Sequence, residues 1–204
     1  MPQRGIPVNS YVFMTDSDSD LPYSYVDQYD LNMVYMPYIV DGVEYYDDLG
    51  RNGKQREYFE AMRNGVSPVT SLLPTAAYLE YFELILAEGK DILFIAFSSH
   101  MSSTIQNIYA AREELLEKYP ERRILVVDTL SISAPMSLLL HRAYKLYTEG
   151  KPMEEIAAWV EANKLRCHAW LTVDDLKYLK RGGRISAIAA TMGTMLDLKP
   201  VITL

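Results

Sequence analysis

The sequence predicts an α/β protein whose first domain is a mainly parallel sheet flanked by helices, followed by a second, truncated α/β domain. Residues 91–97 form an almost uninterrupted apolar run, which is typical of a strand covered on both faces inside a parallel sheet. From residue 75 onward, strand-like and helix-like segments alternate, as they do in βαβ units. We therefore place the N-terminal domain at residues 1–165 and the start of the second, incomplete domain at 166–204.

The segments before the central strand are predicted in chain order. Residues 11–14 form a short strand, and residues 33–46 form a strand, an Asp-Gly turn and a second strand, as in a hairpin. Residues 54–63 form a helix that Asn-Gly closes, and residues 66–74 form a loop because they hold two prolines and several hydroxyls. Residues 75–88 form a helix that ends at a glycine.

The turn after the central strand, Ser98-Ser-His-Met-Ser-Ser-Thr104, is rich in hydroxyls and leads into an amphipathic helix that begins near Ser102. The first N–H groups of a helix have no internal partner and lie at the positive end of its dipole. This turn is therefore suited to hold a carboxylate or a phosphate. The alternative is that Ser102 is only an N-cap and that the other serines are solvated loop residues.

The remaining segments continue the alternation. A strand at 123–127 precedes helices at 135–149 and 152–164, and both helices have proline near their start. A strand at 167–173 follows two consecutive helices, which places the domain boundary near 165. The chain then has a helix from Asp174 to Gly182-Gly183, a helix capped by Ser186, and a strand that begins at 198.

An acidic loop at residues 15–20 follows the first strand, and its alternating Asp16, Asp18 and Asp20 are typical of the start of a calcium loop. The rest of the calcium pattern is missing, because Leu21 stands where the loop needs glycine and Asp27 where it needs glutamate. Turn and capping chemistry therefore explains these residues better than a metal.

The charge and motif content exclude several classes of protein. The net charge is −7, and residues 1–100 carry 6 Lys and Arg against 15 Asp and Glu, so the chain lacks the basic face of a nucleic-acid binder. The single Cys167 excludes an internal disulfide, and no signal peptide or membrane-length apolar run is present, so we expect a cytoplasmic protein. No dinucleotide, Walker or G-x-S-x-G motif occurs, and no cofactor is expected.

Several motifs together resemble the DegV family, bacterial proteins that bind a fatty acid. The turn at 98–104 resembles the family's Ser-Ser-x-Leu-Ser-Gly-Thr segment, with Ser103 in place of Gly. The other matches follow in the family's order: Thr15-Asp-Ser-Asp-Ser-Asp-Leu-Pro22, Thr70-Ser71 with Pro74, Val127-Asp128-Thr129, and Asp175-Leu-Lys-Tyr-Leu-Lys-Arg-Gly-Gly-Arg-Ile-Ser186 with Lys199-Pro200. Leu72-Leu73 spreads the usual Thr-Ser-x-Pro spacing.

The resemblance implies a carrier that holds a long-chain fatty acid between its two domains. It also implies that a separate ATP-dependent fatty acid kinase receives the carboxylate and makes acyl phosphate for phospholipid synthesis. The residues expected at the carboxylate are Thr70, Ser71, Ser98, Ser99 and Ser102. Those expected at the acyl chain are Ile188, Met192 and Met195, since methionine adapts to irregular apolar shapes. Rim or partner contacts are expected at Asp16, Ser17, Lys180, Arg181 and Arg184.

The basic residues, the function and the short second domain each have alternative explanations. The basic residues after 176 are equally explained as a solvated helix end whose cations favour the last carbonyls. A rival function is a small-molecule phosphotransferase of related fold, and another is an interaction domain without a ligand. Residues 166–204 are few for an independent core, so we expect a fragment, a truncated gene product or self-association through the incomplete second domain.

Overall fold

A computed structural model describes residues 10–173, 175–186, 199 and 201–203. Short 3-10 turns lie at Ser17–Ser19 and Lys164–Arg166. The described strands and helices are, in chain order, β1 (Tyr11–Asp16), α1 (Tyr23–Tyr29), β2 (Asn32–Val34), β3 (Pro37–Val40), β4 (Val43–Tyr46), α2 (Gln55–Arg63), β5 (Val69–Thr70), α3 (Thr75–Ala87), β6 (Asp91–Ala96), α4 (Thr104–Lys118), β7 (Ile124–Asp128), α5 (Ser133–Thr148), α6 (Met153–Asn163), β8 (Trp170–Thr172), α7 (Lys177–Arg181) and β9 (Val201–Thr203).

A parallel sheet with strand order β2-β1-β6-β7 forms the centre of the protein. Every residue of β6 is buried, which confirms the prediction of a central strand covered on both faces. In the register of the sheet, Phe13 of β1 pairs with Leu93 of β6, which pairs with Leu125 of β7. Because the strands run in one direction, the loops after β1, β6 and β7 all leave the same edge of the sheet.

Two hydrophobic cores lie on opposite faces of this sheet, because successive side chains of a strand point to opposite sides. On one face, Leu93 and Ile95 pack with residues of α1, α5 and α6. On the other face, Ile92 and Phe94 pack with α3 and α4, and the Phe94 ring lies 5.6 Å from that of Phe82. Full burial of such a side chain contributes roughly 1.5–3 kcal/mol, so these layers hold the sheet edge and its loops in place.

The structure corrects two predictions for the segment between β1 and α3. Residues 33–40 are not one strand: β2 joins the parallel sheet, whereas β3 joins an antiparallel sheet of order β4-β3-β5. The break is held by Ser17, whose Oγ accepts the Met36 N–H at 3.0 Å. Within the predicted loop 66–74, β5 pairs with β3, and Thr70 lies opposite Tyr38. Both errors arise because pairing with a distant strand leaves no local signal.

Helices α2, α3, α5 and α6 agree with the prediction to within two residues at each end, and α7 lies within the segment predicted as a helix. Helix α1 was not predicted. The hairpin of β3 and β4 is confirmed. Helix α4 begins at Thr104 because the Ser102 Oγ accepts the Thr104 N–H at 3.2 Å and so lies outside the helix. Strand β8 (Trp170–Thr172) is shorter than the predicted 167–173 and pairs antiparallel with β9; a 3-10 turn at Lys164–Arg166 precedes it. Asp174 and the helix expected after Ser186, with Ile188, Met192 and Met195, lie outside the described residues.

Candidate functional site

A cavity of about 420 Å³ lies at the carboxyl edge of the parallel sheet, next to the antiparallel sheet. This position follows from the topology, since ligands of open α/β sheets bind beyond the carboxyl ends of the strands. The lining residues come from the loops after β1, β2, β5, β6 and β7, from the adjoining ends of β3, β5 and α4, and from the segment after α7. They are Asp18, Met36, Pro37, Thr70, Ser71, Leu72, Phe97, Met101, Ser102, Ser103, Thr104, Ile132 and Arg184.

The end of β1 holds two walls of the cavity together. The Asp16 Oδ2 accepts the Phe97 N–H at 2.9 Å, and the Ser17 Oγ accepts the Met36 N–H. Asp16 is 1% exposed and Ser17 is fully buried. Both lie at the predicted rim of the sheet, where their buried side chains bind backbone N–H groups; a contact with a partner stays a prediction. Burial raises the pKa of Asp16 well above its usual value, and the neighbouring Asp18 raises it further.

The serines of the turn after β6 point in different directions. The Ser98 side chain is buried, and its Oγ accepts the His100 N–H at 3.2 Å. Ser99 is exposed, and its N–H donates to Asp128. Neither serine lines the cavity, whereas Ser102 does, so the predicted group of carboxylate-binding serines is only partly brought together. Ser103, and not Ser102, is the N-cap residue of α4; Ser102 precedes it, accepts the Thr104 N–H at its Oγ and forms part of the cavity wall.

Thr70 and Ser71 form the facing wall, as the resemblance implied for a shared site. The Ser71 Oγ is buried and has no hydrogen-bond partner within the part of the chain that the structure describes. The Thr70 Oγ1 lies 3.5 Å from a guanidinium nitrogen of Arg184. Thr70, Ser71 and Ser102 therefore surround one cavity, and their role toward a ligand stays a prediction.

An apolar wall lies beside these hydroxyls, and sequence reasoning missed it. Its members, with the prolyl ring included, are Met36, Pro37, Leu72, Phe97, Met101 and Ile132. Phe97 could have been found, because it directly follows the buried strand β6 at the carboxyl edge. Met36 and Ile132 had no such signal, since the break after β2 depends on the Ser17 contact. The cavity therefore combines a hydroxyl side with an apolar side, as an amphipathic ligand requires.

The departures from the DegV motifs are accommodated without strain. Ser103 has φ −82°, an ordinary value for any residue, so this turn does not require glycine. Leu73 is buried in the core between the sheet and α3, whereas Leu72 is half exposed and lines the cavity. The inserted leucine thus extends the apolar wall.

Two charged side chains, Asp18 and Arg184, also line the cavity. Burial, Asp47 and Asp20 raise the pKa of Asp18 to about 7, and Arg184 opposes this shift. Lys180 and Arg181 are exposed on α7 and do not line the cavity, so their proposed contact with a partner stays a prediction.

Two negative findings apply to residues 10–173, 175–186, 199 and 201–203. No three side chains of His, Cys, Asp or Glu converge there in a way that could hold a metal ion. No helix in the same residues is long and apolar enough to cross a membrane. The acidic loop after β1 borders the cavity, and its first residues bind the backbone N–H groups of Phe97 and Met36.

Comparison with known proteins places the chain among DegV proteins. Residues 11–204 match the family model described as an uncharacterised protein of the DegV family. A DegV domain-containing protein of Clostridium perfringens is 39% identical over 195 residues, which cover 96% of this chain and 67% of that protein. A similar protein of Lactococcus lactis is 32% identical over 194 residues, which cover 95% of this chain and 67% of the relative.

Solved structures of DegV proteins confirm the α/β fold. A fatty acid-binding DegV family protein from Thermus thermophilus has a TM-score of 0.78 and is 32% identical, with 95% of this chain and 67% of that one covered. A stearic acid-binding protein from Eubacterium ventriosum has a TM-score of 0.81 and is 26% identical, with 95% and 66% covered. The present chain thus spans about two thirds of the length of its relatives.

Proposed function

Since this chain belongs to the DegV family, we propose that it binds a long-chain fatty acid whose carboxylate lies in the cavity beside Thr70, Ser71 and Ser102. The observation that carries the proposal is the buried Ser71 Oγ, which has no partner among the described residues. An unpaired buried hydroxyl costs about 1–3 kcal/mol, and a carboxylate would accept its hydrogen bond. Related proteins described as fatty acid-binding support the choice of ligand.

The apolar wall of the cavity suits the first carbons of an alkyl chain. Met36, Phe97 and Met101 are close to the hydroxyls, and each CH₂ that leaves water contributes roughly 0.8 kcal/mol. We expect the rest of the chain to extend between the two domains toward Ile188, Met192 and Met195, which lie outside the described residues. The hydroxyls would pair with a carboxylate whose burial alone would be costly.

We further propose that the protein is a carrier and that a separate fatty acid kinase acts on the carboxylate of the bound fatty acid. The exposed cations Lys180 and Arg181 could meet the kinase or its phosphates. Because such a kinase uses ATP, the handover would take place in the cytoplasm and would feed phospholipid synthesis. The rival phosphotransferase reading lacks any nucleotide-binding motif in the sequence.

Native mass spectrometry of the purified protein tests the proposal. We expect a mass increment equal to one fatty acid, which disappears after delipidation and returns when a fatty acid is added. Loss of the increment together with failure to rebind any fatty acid would overturn the proposal. A retained nucleotide or phosphorylated small molecule would favour the phosphotransferase instead.

A further inference from the structure

Asp18 is an acid in the wall of a cavity that we propose for a carboxylate. It belongs to the 3-10 turn Ser17–Ser19 after β1 and shares the cavity wall with Thr70, Ser71 and Ser102. An ionised Asp18 would place a second negative charge beside the ligand in a partly buried site, which disfavours binding. The position of Asp18 is therefore compatible with an anionic ligand only in its neutral form.

The charges around Asp18 favour that neutral form. Burial raises the pKa of Asp18, and Asp47 from the loop after β4 and Asp20 from the same loop raise it further. Asp18 in turn raises the pKa of Asp16. The opposing cation is Arg184, from the segment after α7. The phenol of Tyr78, on α3, faces both Asp16 and Asp18, which help to raise the pKa of Tyr78. Burial and the acidic neighbours outweigh the single cation, so the pKa of Asp18 rises to about 7.

Several buried side-chain polar atoms near this edge of the sheet lack a hydrogen-bond partner among the described residues. Tyr78 is fully buried and Asp16 is 1% exposed. Among the described residues, the buried side-chain atoms without a partner at this edge are Asp16 Oδ1, Ser19 Oγ, Ser71 Oγ, Tyr78 Oη and Ser131 Oγ. Most buried polar groups are paired in native proteins. Of these atoms, the Ser71 Oγ lines the cavity together with Asp18, so it is placed to bind a polar group of a ligand there. This observation is independent of any titration.

We propose that Asp18 is a specificity-determining residue that recognises a monoanionic carboxylate by donating a hydrogen bond to it from its own neutral carboxyl. This inference rests on the proposed function and identifies the headgroup chemistry of that same cavity. The acid proton stays on the Asp18 oxygen and is shared with the ligand oxygen, in an O–H···O⁻ bond of the strong, charge-assisted type. Above neutral pH, the free protein has lost this proton, so binding must take up one proton from solution.

The expected pH dependence follows from proton linkage. Below pH 7, free Asp18 already holds its proton, and its protonation makes no change to affinity. Above pH 7, the affinity of the wild-type protein falls by up to tenfold per pH unit, because one proton enters with each ligand. In Asp18→Asn, the side-chain amide donates without titrating, so this component of the slope disappears and the variant binds more tightly than wild type at pH 9.

The test is a titration of the full chain with a fluorescent fatty acid, below its aggregation concentration, from pH 6 to pH 9. Wild type is compared with Asp18→Asn and with the control Asp41→Asn, an exposed acid at φ +50° in the hairpin turn, where asparagine is well tolerated. Ionisation of the fatty acid itself changes the pH dependence of affinity equally in wild type and in both variants. We expect the control to behave as wild type and Asp18→Asn to lose the additional slope.

Calorimetry of the wild-type protein at pH 8.5, in two buffers of different ionisation enthalpy, measures the proton uptake directly and does not depend on any variant. Uptake close to one proton per ligand supports the proposal. Binding without proton uptake, or equal slopes for wild type and Asp18→Asn, overturns the role of Asp18 and leaves fatty acid binding intact. If wild type binds no fatty acid at any pH, the proposed function fails, and this inference fails with it.

Discussion

The carboxylate of Asp16 accepts a hydrogen bond from the backbone N–H of Phe97 at 2.9 Å, although the two residues are 81 positions apart. This contact joins the end of β1 to the turn after β6. It thereby positions Phe97 in the cavity wall, close to the turn that supplies Ser102. Asp16 is thus a positioning residue at the rim of the site, where the sequence placed it.

We expect Asp16→Ala to destabilise the protein and Asp16→Asn to preserve its fold. Alanine leaves the partly buried Phe97 N–H without an acceptor, which costs about 1–3 kcal/mol. Asparagine keeps an acceptor oxygen at the same place and removes an acid whose ionisation burial disfavours. Urea denaturation at pH 7.5 compares the two variants; equal losses of stability would show that the Asp16–Phe97 bond is unimportant.

Ser71→Ala and Thr70→Ala are expected to weaken fatty acid binding with little change in stability. A hydrogen bond to a charged group contributes about 1.5–3 kcal/mol, so each loss lowers affinity roughly tenfold or more. The matched control is Ser67→Ala, an exposed serine in the same loop. The measurement is the dissociation constant of a fluorescent fatty acid, and unchanged binding in both variants would place the carboxylate elsewhere.

The stability of the protein should depend on pH through Asp18. Its pKa rises from the model-compound value of 3.8 to about 7 in the folded state, so the folded state retains the proton over this window. Asp18 therefore makes the free energy of unfolding fall as pH rises from about 4 to 7, and the loss is complete above 7. After a discount for solvent screening, the loss is on the order of 2 kcal/mol.

Asp18→Asn removes this loss. We expect the variant to be more stable than wild type at pH 8 and equal to it near pH 4, as measured by urea denaturation. Asp41→Asn is the control and should follow wild type at both values. A constant difference between Asp18→Asn and wild type across the range would show that Asp18 titrates normally in the folded protein.

Charge reversal of Lys180 and Arg181 should slow acyl phosphate formation by the partner kinase and leave fatty acid affinity unchanged. Both side chains are exposed and lie outside the cavity wall, so their reversal should weaken attraction to the proposed kinase without altering the proposed carboxylate site. Reversal of the exposed Arg142 and Lys145 on α5 changes the net charge equally and serves as the control. If acyl phosphate forms at the same rate with both double variants, α7 is a solvated helix end.

The sequence by itself determined the class of fold and the approximate place of the site. The apolar run in β6 and the helical spacing of apolar residues around it are local signals. A strand buried on both faces is apolar throughout, and a helix buried on one side has apolar residues at helical spacing. The sequence also predicted that the site lies at the carboxyl edge of the sheet, because the loops that follow parallel strands lie at one edge. The DegV motifs then indicated Thr70, Ser71 and Ser102, which the structure brings around one cavity.

Only the tertiary structure decided which hydroxyls face the cavity and what surrounds them. Ser98 and Ser102 are indistinguishable by type, yet one is buried beneath the turn and the other lines the wall. The break between β2 and β3, the pairing of β5 and the acidic surroundings of Asp18 all depend on residues far away in the chain. The orientation of a side chain, the pairing of a strand and the electrostatic potential at a residue depend on neighbours in space. Local sequence patterns do not predict these neighbours.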